Sequence, residues 1–188
     1  MLSVIIPASN EAGYIGACLT ALLASGPLGA EAIVVANGCR DATAEVARGF
    51  ADRAAAAGWR LRVLDVPEGG KPNALNQGDA VAQGDLRAYL DADVVVTPDL
   101  IAQLIAASAT GQPRYATGTA RIPPAQSAVT RAYARFWQRL PFAQSTAPGY
   151  GLFAVNKAGR ARWGAFPGII SDDTFVRLQF DPGERVQV

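Results

Sequence analysis

Apolar and polar positions follow two periods along the first half of the chain. Residues 2–6 are a short apolar run that reads as a strand, and Ile15, Cys18, Leu19, Leu22 and Leu23 then recur at helical spacing until Gly26-Pro27 stops the pattern. Residues 32–36 are a second strand, after which Asp41 can cap a helix whose inner face carries Val46, Ala47 and Phe50. Residues 60–64 alternate polar and apolar as a third strand should, and residues 71–83 read as a helix opened by Pro72 in its first turn. Residues 86–90 are a fourth strand. Thr97 then caps, and Pro98 opens, a helix that directs Leu100, Ile101, Leu104 and Ile105 inward. Repeated strand-helix units predict an α/β chain, with a mostly parallel central sheet and flanking helices in one domain over residues 1–188, divided into halves at residues 96 and 97.

The second half is less regular. Val129, Ala132, Tyr133, Phe136, Trp137 and Leu140 form one helical face, while Arg131, Arg135 and Arg139 recur along another. The pattern suits a core-facing helix with a solvated basic stripe, and a helix lying on a membrane surface is the alternative. Residues 149–155 read as a further strand and residues 163–168 as a flexible loop. Trp163 and Phe166 in that loop are candidates either to stack on a sugar or simply to pack. Residues 174–180 read as a last helix, and in the ordinary reading Asp172 and Asp173 cap it.

Composition narrows the chemistry. A chain of 188 residues, half of them apolar and with net charge +1, can bury one core and shows no basic signature of a nucleic-acid partner. Its apolar runs fall short of the roughly 20 residues that span a bilayer, and Met1 leads straight into a strand, so a cytoplasmic chain is expected, at the inner face of a membrane if the basic helix makes contact there. Cys18 and Cys39 lack metal-ligand spacing and read as reduced thiols. The chain has no histidine, which removes Ser-His and Cys-His nucleophile pairs and histidine-bound zinc, and leaves carboxylates as general bases.

The polar clusters follow the strands. Residues 7–11, 37–41, 68–71 and 91–93 each succeed one of the first four strands, and parallel sheets bind ligands at that edge. Each cluster has an ordinary reading, with Asn10 and Asp41 as caps, Gly69-Gly70 as a turn and Glu11 as a first-turn acid. Together they favour a nucleotide pocket. Asp91-Ala92-Asp93 offers two hard oxygen donors, a set that suits Mg²⁺ or Mn²⁺ completed by water and substrate phosphates.

In order and spacing, Pro7-Ala8-Ser9-Asn10-Glu11, residues 37–43, residues 70–78, Asp91-Ala92-Asp93 and Ser171-Asp172-Asp173-Thr174 resemble the family 2 glycosyltransferases of GT-A fold. The resemblance covers most of the chain. It implies an enzyme that moves a sugar from a nucleotide-diphospho-sugar to a hydroxyl acceptor, a glycan or a lipid-linked one among the options, with inversion at the anomeric carbon. It puts the metal on Asp93 and Asp91, the donor around Pro7, Asn10, Glu11, Asn37, Lys71, Asn76 and Asp91, and the base at Asp173 with Asp172 as its backup.

Two departures bear on that reading. Many relatives carry two acids before the glycine at the end of the second strand, where this chain has Ala36-Asn37, so an amide replaces a carboxylate beside the base. The Gln-x-x-Arg-Trp element of processive synthases does not follow Asp173, which argues against a processive synthase, and the chain ends soon after it, as a minimal enzyme or one lacking acceptor-side elements would. The rivals are a non-catalytic module that binds nucleotide sugars and, less favoured, a sugar nucleotidyltransferase, which normally carries a Gly-rich basic loop where residues 7–11 stand.

Overall fold

The structure, a computed structural model, describes residues 1–26, 29–121 and 147–188. Seven strands form one sheet in the order β3-β2-β1-β4-β6-β5-β7. β1 (Leu2–Ala8), β2 (Glu31–Asn37), β3 (Arg60–Val66) and β4 (Leu86–Leu90) pair in parallel. β6 (Leu152–Asn156) runs antiparallel to both β4 and β5 (Tyr115–Thr117), and β7 (Arg185–Gln187) closes the edge parallel to β5. The expected mostly parallel sheet is present, with one reversed strand inserted in its second half.

Both faces of the sheet are covered, so β1 and β2 are buried along their whole length and are apolar except for Ser3, Glu31 and Asn37. Val4, Ile6 and Val34 face a layer that includes α1 (Ile15–Leu23), α2 (Thr43–Arg48), α3 (Ala51–Ala56) and α5 (Pro98–Ser108). Ile5, Ile33 and Val35 point the other way, toward Ala74 and Leu75 of α4 (Lys71–Val81) and an aromatic cluster of Tyr89, Tyr115, Phe153, Trp163, Phe166 and Phe180. This alternation follows from successive side chains of a strand leaving opposite faces.

Several expectations are corrected. The helix after Asp41 is two short ones, α2 and α3, parted at Gly49-Phe50; its Ala47 is buried but Val46 and Phe50 are only partly so. α4 ends at Val81, where Ala82 turns to extended backbone, and the side chain of Thr97 makes no cap hydrogen bond. On α5, Ile101 and Leu104 are buried, Leu100 is half-buried and Ile105 faces outward. Residues 149–151 form a turn, so the strand expected from residue 149 begins at Leu152; a four-residue helix, α6 (Lys157–Arg160), follows it. The last helix, α7 (Asp172–Arg177), starts earlier than expected and contains both acids in its first turn. β5 and β7 were not foreseen. The basic amphipathic helix read over residues 129–140 lies outside the described residues. Cys18 and Cys39 are free thiols.

Candidate active site

The loops after β1 and β2 are sewn together by side-chain to backbone hydrogen bonds. Asn10, at φ 59°, accepts from the Arg40 N–H at 2.8 Å through Oδ1. Asp41 accepts from the Ala12 N–H at 3.1 Å and from the Thr43 N–H at 3.1 Å, while Thr43 Oγ1 accepts from the Glu11 N–H at 2.8 Å. Gly38 sits at φ 60°, and a Cβ there would lie 2.8 Å from the Gly69 Cα, so the loops after β2 and β3 approach as closely as they do only because this residue lacks a side chain. These contacts hold open a cavity of about 400 Å³ whose walls include Pro7, Ser9, Glu11, Asn37, Lys71, Asp91 and Asp93. Burial, followed by the charges of Asp93, Asp41 and Asp91, raises the pKa of Glu11 above the ordinary carboxylate value. Asn37 is 1% exposed, and its Nδ2 has no hydrogen-bond partner among the described residues.

A second cavity, of about 130 Å³, shares Pro7, Lys71 and Asp91 with the first and adds Tyr89, Gly151, Ile170, Asp172 and Asp173. Its floor is continuous with the sheet: Asp91 donates its N–H to the Gly151 carbonyl at 2.8 Å, extending the β4–β6 ladder by one bond. Gly151 lies at φ 66°, and a Cβ would meet Val94 Cγ2 at 2.5 Å. Lys71 Nζ stands 2.7 Å from Asp91 Oδ1 and 3.0 Å from Asp172 Oδ1. Asp172 is buried, whereas Asp173 is half-buried and accepts from Thr174, whose N–H lies at 2.7 Å.

The electrostatics divide these groups. Burial pulls the Lys71 pKa down, but Asp91 and Asp172 more than reverse it, so the ammonium is held charged. Burial lifts Asp91 above the usual carboxylate range; the pull of Lys71 offsets part of this, and Asp172 and Asp93 add to the rise. Asp173 is also raised, first by burial and then by Asp172, against the Thr174 hydrogen bond and the more distant Lys71. Of the two late acids, Asp172 is therefore paired with a cation, and Asp173 is the one whose pKa burial raises.

Pro7, Glu11, Asn37, Lys71, Asp91, Asp93, Asp172 and Asp173 are brought together at the strand ends. Two expected donor residues are not. The carbonyl of Asn10 is spent on the Arg40 loop, and Asn76 turns away from both cavities to bond the backbone of Phe166. Trp163 and Phe166, weighed as stacking platforms for a sugar, are 9% and 4% exposed and pack in the aromatic core. The segment read as flexible is pinned at both of these rings. Gly151, Tyr89 and Ile170 were missed; of these, only Gly151 carried a signal, as a glycine directly before a strand.

The donor set fits a divalent cation of the kind expected. Among the described residues no hydrogen bond or ion pair engages the exposed Asp93 carboxylate, and no group of three or more protein ligands is assembled. Two carboxylates, one of them free, suit Mg²⁺ or Mn²⁺ that keeps water and substrate phosphate in its shell, and not a metal caged by protein alone. A larger concavity, about 760 Å³, lies at the opposite edge of the sheet, around Leu2, Leu86 and Ile105. Its walls hold no comparable convergence of charge, so the chemistry is assigned to the two smaller cavities.

Known proteins share the sequence pattern and the fold of this chain. Residues 3–158 match the model of glycosyl transferase family 2. An uncharacterized glycosyltransferase, EpsJ of Bacillus subtilis (strain 168), is 31% identical over 104 residues, which are 55% of this chain and 29% of that protein. The structure of the mannosyltransferase PcManGT from Pyrobaculum calidifontis, in complex with GDP-Man and Mn²⁺, superposes with a TM-score of 0.77 at 21% identity, covering 100% of this chain and 54% of that one. Glucosyl-3-phosphoglycerate synthase from Mycobacterium tuberculosis, in complex with Mn²⁺, UDP-glucose and phosphoglyceric acid, superposes with a TM-score of 0.62 at 25% identity, covering 100% and 69%. The chain thus spans less than a third of EpsJ and about half of the mannosyltransferase. Its sheet and flanking helices are those of the GT-A fold, and the chain belongs to glycosyl transferase family 2.

Proposed function

We propose that the chain carries out inverting, metal-dependent transfer of a sugar from a nucleotide-diphospho-sugar to an acceptor hydroxyl. One observation carries the reading: Lys71 is within hydrogen-bond reach of both Asp91, at the end of β4, and Asp172, in the last helix. The proposed leaving-group side and base side are thereby set against each other across one small cavity.

In this reading the nucleoside lies in the larger cavity between Glu11 and Asn37, and the diphosphate lies toward Lys71, Asp91 and Asp93. A bound Mg²⁺ or Mn²⁺, held by Asp93 and Asp91, supplies charge stabilisation for the departing diphosphate. Asp173 takes the proton of the acceptor hydroxyl as its oxygen bonds to the anomeric carbon and the bond from that carbon to the diphosphate oxygen breaks. Lys71 occupies the Asp172 carboxylate, which leaves Asp173 the acid that faces the cavity without a cation paired to it. PcManGT was solved with GDP-Man and the mycobacterial synthase with UDP-glucose, both with Mn²⁺, and these complexes support a nucleotide-sugar donor and a divalent ion here.

Incubation with a panel of UDP-, GDP- and dTDP-sugars and simple hydroxyl acceptors in Mn²⁺, with product detected by mass, tests the reading. A glycosylated product of inverted anomeric configuration supports it. Nucleotide binding by calorimetry without transfer or donor hydrolysis would instead identify a binding module.

A further inference from the structure

Helix α4 holds the segment that carries the acid pair at three points. Lys71 Nζ pairs with Asp172 at 3.0 Å. The side-chain amide of Asn76 bonds the backbone of Phe166 in both directions, accepting the N–H at 2.7 Å and donating to the carbonyl at 3.1 Å. Asp79, buried, accepts from Arg160 at 2.8–2.9 Å and from Arg87 at 2.5 Å, with the Tyr89 hydroxyl donating at 3.0 Å. Arg160 then donates to the Trp163 and Gly164 carbonyls at 2.6 and 3.0 Å and lies 4.6 Å from the Trp163 ring centroid. At about 100° per residue, positions 71, 76 and 79 fall within an arc of about 140°, so one helix face presents all three hooks.

The hooks differ in what they leave free. Residues 167–171, between the Asn76 contact and Asp172, are exposed, and Ile170 is 99% exposed. The place of Asp173 is therefore set by the fixed points that flank this stretch: Phe166 before it and, after it, Asp172 together with the buried Val176 of the same helix. Phe166 is buried against Tyr89 and Trp163, yet ring packing leaves a backbone free to rotate about the side chain. The two-way amide bond removes that freedom, because it fixes both the N–H and the C=O of one residue.

We propose that Asn76 is a positioning residue for the reaction: through Phe166 it sets the reach of the segment that places Asp173 at the cavity, and it takes no part in donor binding. The inference rests on the proposed role of Asp173. One N–H and one lone pair of the Asn76 amide are engaged by Phe166, and the residue lines neither cavity, so its polar atoms are directed to the loop and not to the donor site.

Asn76→Ala and Asn76→Asp, made in the full chain beside Asp173→Asn, test it. Three quantities are measured: affinity for UDP and GDP in Mn²⁺, hydrolysis of UDP-glucose and GDP-mannose, and amide exchange across residues 163–173 with nothing bound. Asn76→Ala is expected to keep nucleotide affinity within about twofold and to lower hydrolysis by about 10- to 100-fold, the effect of a small misplacement of a reacting group. The Phe166 amide should exchange at least about tenfold faster, as expected when its acceptor is removed. Asn76→Asp still accepts the Phe166 N–H but repels its carbonyl, so it should fall between Asn76→Ala and wild type; it also serves if the alanine variant does not fold. Unchanged exchange at Phe166 overturns the clamp, and so does a loss of nucleotide affinity that matches the loss of hydrolysis. If neither donor is hydrolysed by wild type, exchange and affinity decide. Normal hydrolysis by Asp173→Asn removes the role of Asp173 but leaves the exchange result standing, so the two failures are distinguishable.

Discussion

At the donor-side rim, Asn37 and Asp91 stand at the ends of strands whose backbones are locked by parallel pairing, and the loops beyond them are tied by Asp41, Thr43 and Asn10. The acid pair, by contrast, sits in a six-residue helix reached through an exposed stretch, held by side-chain hooks from α4. The first region inherits its geometry from the sheet, and the second from the packing of Val176 and Phe180 together with a few polar contacts. A GT-A sheet can accordingly keep its nucleotide rim while the opposite wall changes with the acceptor, because that wall is not part of the parallel ladder.

Substitutions on the two sides should separate binding from transfer. The largest loss is expected for Asp173→Asn. General-base catalysis contributes about 10²–10⁴-fold, so transfer should fall by that order while nucleotide affinity persists, as calorimetry beside a product assay would reveal. The pH profile sharpens this. The Asp173 pKa is raised, so the active, ionised form is lost as pH falls through a value above the ordinary carboxylate range, and the acid limb of the rate should lie correspondingly high. The same sign applies to stability: a raised carboxyl favours the folded state when protonated and penalises it once pH exceeds the folded pKa. Asp173→Asn should then melt no lower than wild type at neutral pH, and a clear loss of melting temperature would show Asp173 to be mainly structural.

Asp93→Asn probes the other side. Leaving-group stabilisation of this kind is worth about 10²–10³ in rate, and the variant should lose that factor together with its response to added Mn²⁺. Lys71→Met removes the cation shared by the two regions. Since Lys71 and Asp91 are partly exposed and only Asp172 is buried, a destabilisation of about 1–2 kcal/mol is expected by denaturant titration, less than a fully buried pair would give. The smallest effect on transfer is expected for Asn37→Asp: at a position only 1% exposed the new carboxylate should lower the melting temperature, and the relative affinity for UDP and GDP should shift. Equal changes for both nucleotides would mean that Asn37 does not read the base.

The sequence made the two regions unequally legible. β1 and β2 were visible as largely apolar runs buried on both faces and β3 by its alternation, and the rim residues follow the strands immediately. β5 and β7 are three residues each and are defined by pairing with one another and, for β5, with β6, a long-range relation that no local period encodes. Asn76 was read as a donor contact because it lies in residues 70–78, one of the segments that carry the family resemblance. Its actual partner is a backbone group 90 positions away, which has no side-chain signature. Trp163 and Phe166 looked like a sugar platform for the same reason, since aromatic rings in an irregular stretch carry no mark of the core they enter.

The central claim is that the strand-end rim binds a nucleoside diphosphate through a divalent ion on the Asp91-Ala92-Asp93 segment. Calorimetric titration of the chain with UDP and with GDP, in Mn²⁺ and in chelator, and repeated with Asp93→Asn, tests it most directly. The account predicts that at least one nucleotide binds, with affinity at least about tenfold higher in Mn²⁺, and that this metal-dependent increment disappears in a folded Asp93→Asn protein. Nucleotide binding that is indifferent to both the metal and the substitution would contradict it.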